Sequence, residues 1–137
     1  MILDTSALLS ALFSDQRHHT ECAEVLTAAG SRVLSPFVLA EVDYLILRSA
    51  GVGAETALLD EVGRGAYELA HFSEQDVAAA SEVVGRYADL GIGLADASLV
   101  VLAAQRRTRD IFTLDERHFR ALRAADGKAF RLLPADR

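Results

Sequence analysis

Apolar and polar positions along this chain follow two rhythms, short unbroken apolar runs and longer stretches with helical spacing. "MIL" reads as a strand and "SALLSALF" as a helix; "HHTECAEVLTAAG" is a second helix that Gly30 is expected to close in a left-handed cap. "RVLS" is a short strand, and Pro36 suits the first turn of the helix "PFVLAEVDYLILRSAG". "GAETALLDEVGRG" is helical again, followed by a strand in "AYELAHF". Ser73 then opens "SEQDVAAASEVVGRYADLG", with Asp76 three residues on as in a capping box. After "GIG" come the helix "LADASLVVLAAQRR", a strand in "DIFTL", a short helix in "ERHFRALRA" and a last strand in "FRLLP". Strands alternating with helices predict an α/β fold, a parallel sheet with helices on both faces. No linker, repeat or low-complexity segment divides the chain, so residues 1–137 are expected to form a single domain.

Composition narrows the possibilities. Half of the residues are hydrophobic (51%), enough for a real core. The apolar runs are short and interrupted, and no basic leader precedes one, which predicts a cytoplasmic protein with no membrane partner. Cys22 is the only cysteine, so an internal disulfide and a thiolate zinc cluster are excluded. His18, His19 and Cys22 could face one another on a helix as metal ligands, or simply form a solvated helix start. The net charge of −6 argues against a general nucleic-acid binder, but the charge is uneven. Residues 106–137 hold 9 of the 14 basic side chains and only 5 of the 20 acids. That surplus suits a polyanion at one edge, or belongs to ordinary solvated helix faces.

Four acids stand out by position. In open parallel sheets, ligands bind beyond the carboxyl ends of strands. Asp4 follows "MIL" and Asp115 follows "DIFTL" in the same way, so the two would converge if their strands were neighbours. Asp96 lies early in the helix after "GIG", where the dipole favours negative charge. Glu41 lies on the helix after Pro36 among Phe37, Val38, Val42, Leu45 and Ile46, whereas Asp43 points to nearly the opposite face. Singly, each acid has a structural explanation: helix caps for Asp4 and Asp115, dipole complementation for Asp96, a surface position for Glu41. As a cluster they need compensation, because two carboxylates about 5 Å apart repel by roughly 3 kcal/mol at an effective dielectric near 20. All-oxygen donors, with no thiolate and no histidine motif beside them, point to Mg²⁺ or Mn²⁺. Such an ion activates water for in-line attack on a phosphodiester, which is nuclease chemistry.

"MILDTSALL" with Asp4, "LAEVDYLI" with Glu41, "GIGLADASLVVLAAQ" with Asp96 and "IFTLDERHF" with Asp115 resemble, in order, the four acidic motifs of the PIN-domain ribonucleases. More narrowly, they resemble the VapC-type toxins of bacterial toxin–antitoxin pairs. The resemblance implies a three-layer α/β/α sandwich around a central, mainly parallel sheet. It also implies a Mg²⁺- or Mn²⁺-dependent endoribonuclease that cleaves structured RNA, in a transfer RNA or ribosomal RNA loop, inhibiting translation until a VapB antitoxin neutralises it. By motif, Asp4, Glu41, Asp96 and Asp115 are the catalytic acids. Asp4 and Asp96 are direct metal ligands, with Glu41 and Asp115 acting directly or through water. Ser6 matches the first motif's hydroxyl and is expected to hold a ligand or phosphate. Arg109, Arg117 and Arg120 are candidates for RNA phosphate contacts. Homodimers and a heteromeric complex with the antitoxin are implied, the antitoxin's C-terminal segment crossing the active-site groove; apolar residues around "LLDEVGRGAYEL" either line that groove or belong to the ordinary core.

Two other readings account for some of these features. A catalytically silent module would use the acids as caps and act through antitoxin or DNA binding. An aspartyl phosphatase would use Asp4 as nucleophile, but that chemistry commonly wants an acid two residues on, where Ser6 stands.

Overall fold

A computed structural model describes all of residues 1–137. Five short strands, β1 (Ile2–Leu3), β2 (Val33–Leu34), β3 (Glu68–Leu69), β4 (Asp110–Phe112) and β5 (Arg131–Leu133), form one sheet in the order β3-β2-β1-β4-β5. Every pairing is parallel, and Leu3 stands opposite both Leu34 and Phe112. The helices are α1 (Thr5–Leu12), α2 (His19–Ala28), α3 (Pro36–Ala50), α4 (Val52–Gly63), α5 (Glu74–Arg86), α6 (Leu94–Gln105) and α7 (Glu116–Ala121). From β1 the chain winds outward to β2 and β3, then crosses back to β4 and β5. Right-handed crossovers therefore put α1–α4 on one face and α5–α7 on the other. The switch point lies between β1 and β4.

The central strands are apolar on both faces because helices cover both. Ile2, Leu3, Ile111, Phe112 and Leu132 are fully buried, and they join one continuous core. Helix α6 is buried all round from Ala97 to Ala103, which explains why "ASLVVLA" shows no polar stripe. Only its ends reach solvent.

Local signals behave as their chemistry dictates at two starts. Ser35 caps α3 through Phe37 N–H with Pro36 in the first turn, and Ser73 with Asp76 closes a complete capping box on α5. Three expectations need correction. The strand expected in "AYELAHF" shrinks to Glu68–Leu69, an exposed edge strand that pairs with β2 alone. Gly30 takes no left-handed conformation: α2 stops two residues earlier and Ala29 leaves it in extended geometry. The helix from Ser73 breaks at Tyr87 into a 3₁₀ turn (Ala88–Leu90), where Gly91 supplies the left-handed residue at φ 64°.

Candidate active site

The first acid follows β1 directly. Asp4 has the extended backbone of an N-cap, and its carbonyl accepts the Leu8 N–H, but its side chain caps nothing. Instead Oδ2 accepts two hydroxyl hydrogen bonds, from Ser6 Oγ and from Thr113 Oγ1, each 2.7 Å. Both hydroxyls are oriented from behind: the Leu114 amide donates to Ser6 Oγ and the Asp115 amide donates to Thr113 Oγ1, each at 2.9 Å. Asp4 N–H meanwhile donates to the Phe112 carbonyl. The carboxylate is thus clamped by the neighbouring strand's end, with both hydroxyls on one oxygen. Asp4 is only 6% exposed and Thr113 1%. An acid buried this far with only neutral donors calls for a positive partner.

Asp115 caps α7, as one structural explanation held, but this uses only Oδ1, which accepts the His118 N–H at 3.1 Å. Oδ2 faces the site, 3.0 Å from His118 Nδ1. The same nitrogen lies 3.0 Å from Asp96 Oδ2. Asp96 stands in the first turn of α6, behind Gly93, a cap with no side chain to offer. Its carboxyl is pushed up to about 6, first by burial and then by the charge of Asp4, with Asp115 adding to it and His118 opposing. Asp4, Asp96 and Asp115 therefore share one electrostatic site at the sheet's switch point, where such topology places ligands. Asp96, Asp115 and His118 each point one ligand atom into a space less than 4.8 Å across.

Glu41 differs from these three. It is exposed on α3 and forms no ion pair or hydrogen bond with them, so the pull of the apolar neighbours noted in the sequence does not bury it. Helix α3 is nevertheless tied to α6 by a buried hydroxyl pair. Ser35 Oγ and Ser98 Oγ are 2.7 Å apart, Ser98 donates to the Ala95 carbonyl at 2.6 Å, and Ser35 Oγ accepts the Phe37 N–H. Ser35 therefore donates to Ser98, and the turn carrying Asp96 is held against the start of the helix carrying Glu41.

Other sequence-level candidates separate. Ser6 holds Asp4 rather than standing free for a phosphate. Arg109 precedes β4 at the amino end of the sheet, about 13 Å from Thr113 at roughly 3.3 Å per strand residue, so it does not flank the acids. Arg120 is tied to Glu116 and, through two 2.7 Å bonds, to Asp136. Arg117 is exposed, one helical residue beyond Glu116, and joins no ion pair. Much of the basic surplus is likewise paired, as Arg106–Glu68, Arg131–Asp110 and Arg137–Glu24. His18 pairs with Glu21, His19 Nδ1 lies against the Ser10 carbonyl, and Cys22 is fully buried, so these three form no metal site. Sequence reasoning missed Thr113 and His118. Both lie in "TLDERHF", and the expectation of a site without histidine is corrected by His118 itself.

Residues 1–125 match the model of the PIN domain family. The chain is 45% identical over 135 residues to ribonuclease VapC26 of Mycobacterium tuberculosis, covering 98% of this chain and all of that protein. Among solved structures it resembles M. tuberculosis VapC20, a sarcin-ricin loop cleaving toxin, with TM-score 0.78 and 17% identity over 85% of this chain and 90% of that one. It also resembles a toxin–antitoxin complex chain from Klebsiella pneumoniae (TM-score 0.66, 19% identity, 88% and 91% covered). A chain of Rickettsia felis VapBC2 bound to a promoter DNA fragment is similar as well (0.63, 21%, 86% and 89%). At these identities the structural likenesses establish the fold, and they bear out the expected α/β architecture.

Proposed function

The chain belongs to the PIN-domain family as a VapC-type ribonuclease toxin, and from that premise we propose that residues 1–137 act as one Mg²⁺- or Mn²⁺-dependent endoribonuclease unit. Its target is a structured RNA, a transfer RNA or ribosomal RNA loop, whose cleavage stops translation. A cognate VapB antitoxin covers the site, in a heteromeric complex built on a toxin homodimer.

The observation that carries this reading is the cluster of Asp96, Asp115 and His118, whose ligand atoms lie within 4.8 Å of one another, beside the buried Asp4 whose charge acts on Asp96. The donor set fits a divalent ion: inward oxygens on Asp96 and Asp115, a buried aspartate clamped by hydroxyls beside them, and one carboxyl pushed up first by burial and then by the Asp4 charge. Asp4 and Asp96 are assigned as direct ligands, with Glu41 and Asp115 acting directly or through water. The bound ion supplies Lewis-acid polarisation of the phosphodiester and lowers the pKa of water. The chain's own residues then provide position. Ser6 and Thr113 fix the Asp4 carboxylate, and the His118 amide turns Asp115 inward. Arg117, exposed and outside every ion pair, is assigned to a flanking phosphate.

The antitoxin surface is assigned to apolar side chains beside the acids. Leu45 lies one turn beyond Glu41 on the same face of α3 and is 37% exposed, and Leu94, two residues before Asp96, is 41% exposed. A peptide crossing these residues would cover the acids and bury both leucines.

The test incubates antitoxin-free protein with host RNA in Mg²⁺, in Mn²⁺ and in chelator, with Asp96→Asn as control, and maps new 5′ ends by sequencing. A discrete metal-dependent cut that the variant lacks is the expected result. Folded protein that cuts nothing under any metal condition would overturn the assignment.

A further inference from the structure

We propose that His118 is a nitrogen ligand of the divalent ion, so that this site prefers Mn²⁺ to Mg²⁺ more strongly than four carboxylates would. The inference rests on the metal-dependent reading above and deepens it. His118 Nδ1 lies 3.0 Å from Asp96 Oδ2 and 3.0 Å from Asp115 Oδ2. Adjacent ligands on an octahedral ion with bonds of about 2.0–2.1 Å are separated by roughly 2.9 Å. Both N···O distances therefore match edges of one coordination octahedron.

The same lengths suit N–H···O hydrogen bonds, but the donor count does not. Nδ1 carries at most one hydrogen, and two inward-facing carboxylate oxygens compete for it. A cation at the point where the three atoms converge satisfies all of them. The other oxygen of Asp115 is already committed to the His118 backbone amide, so its inward oxygen and the ring are delivered together by the first turn of α7. Helix α6 supplies Asp96 from the other side. No lysine or arginine pairs with Asp4, Asp96 or Asp115 to take the ion's place. An imidazole nitrogen raises affinity for Mn²⁺ and later first-row ions far more than for Mg²⁺, which keeps to oxygen.

The experiment loads wild-type protein and His118→Gln with Mn²⁺ alone and records electron spin echo envelope modulation, with Mn²⁺ and Mg²⁺ affinities measured by calorimetry. Wild type is expected to show ¹⁴N coupling from a directly bound imidazole. In His118→Gln the coupling disappears, and Mn²⁺ affinity falls on the order of tenfold while Mg²⁺ affinity changes much less. A histidine that merely positions the carboxylates would lower both affinities together and leave no ¹⁴N signal. Bound Mn²⁺ without ¹⁴N coupling in wild type overturns the proposal, as does coupling that survives the substitution and so comes from His18, His19 or His71. Wild type that binds no Mn²⁺ at all overturns the metal-dependent reading as well, which separates the two failures.

Discussion

At Asp96 two opposing influences can be compared by size. A carboxylate in the first turn of a helix gains about 0.3–1 kcal/mol from the dipole. Burial and the nearby Asp4 charge outweigh that gain and move its pKa from 3.8 to about 6, which at neutral pH costs about 3 kcal/mol of stability as an order of magnitude. The folded state holds this proton more tightly than the unfolded chain, so the contribution is complete below about pH 4 and lost as pH rises through 6. Asp96→Asn is therefore expected to raise the melting temperature of metal-free protein at pH 7, with a gain that shrinks toward pH 5, while abolishing cleavage. A variant no more stable than wild type at pH 7 would contradict the electrostatic account. Thr113→Val tests the clamp on Asp4. It removes one hydroxyl donor while keeping the buried shape, and should cost about 1–3 kcal/mol in urea unfolding and weaken divalent-ion affinity. An unchanged affinity would mean that Ser6 alone orients the carboxylate.

Among the elements, the Ser35–Ser98 link joins the acid-bearing ends of α3 and α6. Each single alanine variant removes the bond between the two hydroxyls, leaving Ser35 without its acceptor or Ser98 without its donor in the core, so Ser35→Ala and Ser98→Ala should together cost less than their separate effects combined. The expected coupling is of order 1 kcal/mol by a double-mutant cycle. Additive effects would show that the two hydroxyls act independently. Ser73→Ala, far from the acids, should lose about 1 kcal/mol through its cap with no change in cleavage. Element types were legible where side chains act on their own backbone, as at Pro36 and Ser73. They were less legible at α2, where the helix ends before Gly30, and in "AYELAHF", where an edge strand has only one neighbour to pair with.

For the whole molecule, acids gathered from the end of β1 and the starts of α6 and α7 would make the proposed ion a partner in stability. Millimolar Mg²⁺ or Mn²⁺ should raise the melting temperature of wild type progressively with concentration, because binding favours the folded state, and should do so far less for Asp96→Asn. Equal shifts in both proteins would place the ion elsewhere. The basic C-terminal part contributes a weaker field than its composition suggests, since Arg106, Arg120, Arg131 and Arg137 are committed to acids of this chain. Arg117→Glu is expected to weaken RNA binding and flatten its salt dependence, whereas Arg109→Glu, at the far end of the sheet, should alter neither.

Asp4 and Asp115 announced themselves in the sequence because strand ends in a parallel sheet are recognisable from apolar runs, and "MIL" and "DIFTL" proved to be neighbours. Asp96 was marked by the start of a helix, and the family by four motifs in order. What only the tertiary structure decided is which partners each acid meets. Thr113 reads as a β-branched strand residue and His118 as one more polar position on a short helix until the register of β1 against β4 brings one to Asp4 and the packing of α7 brings the other to Asp96. Burial, charge repulsion and donor count depend on distances between residues far apart in the chain, and periodicity carries no information about them. Arg109 and Arg117 illustrate this: both are exposed arginines in one basic stretch, and the direction of a single strand puts them beyond opposite ends of β4.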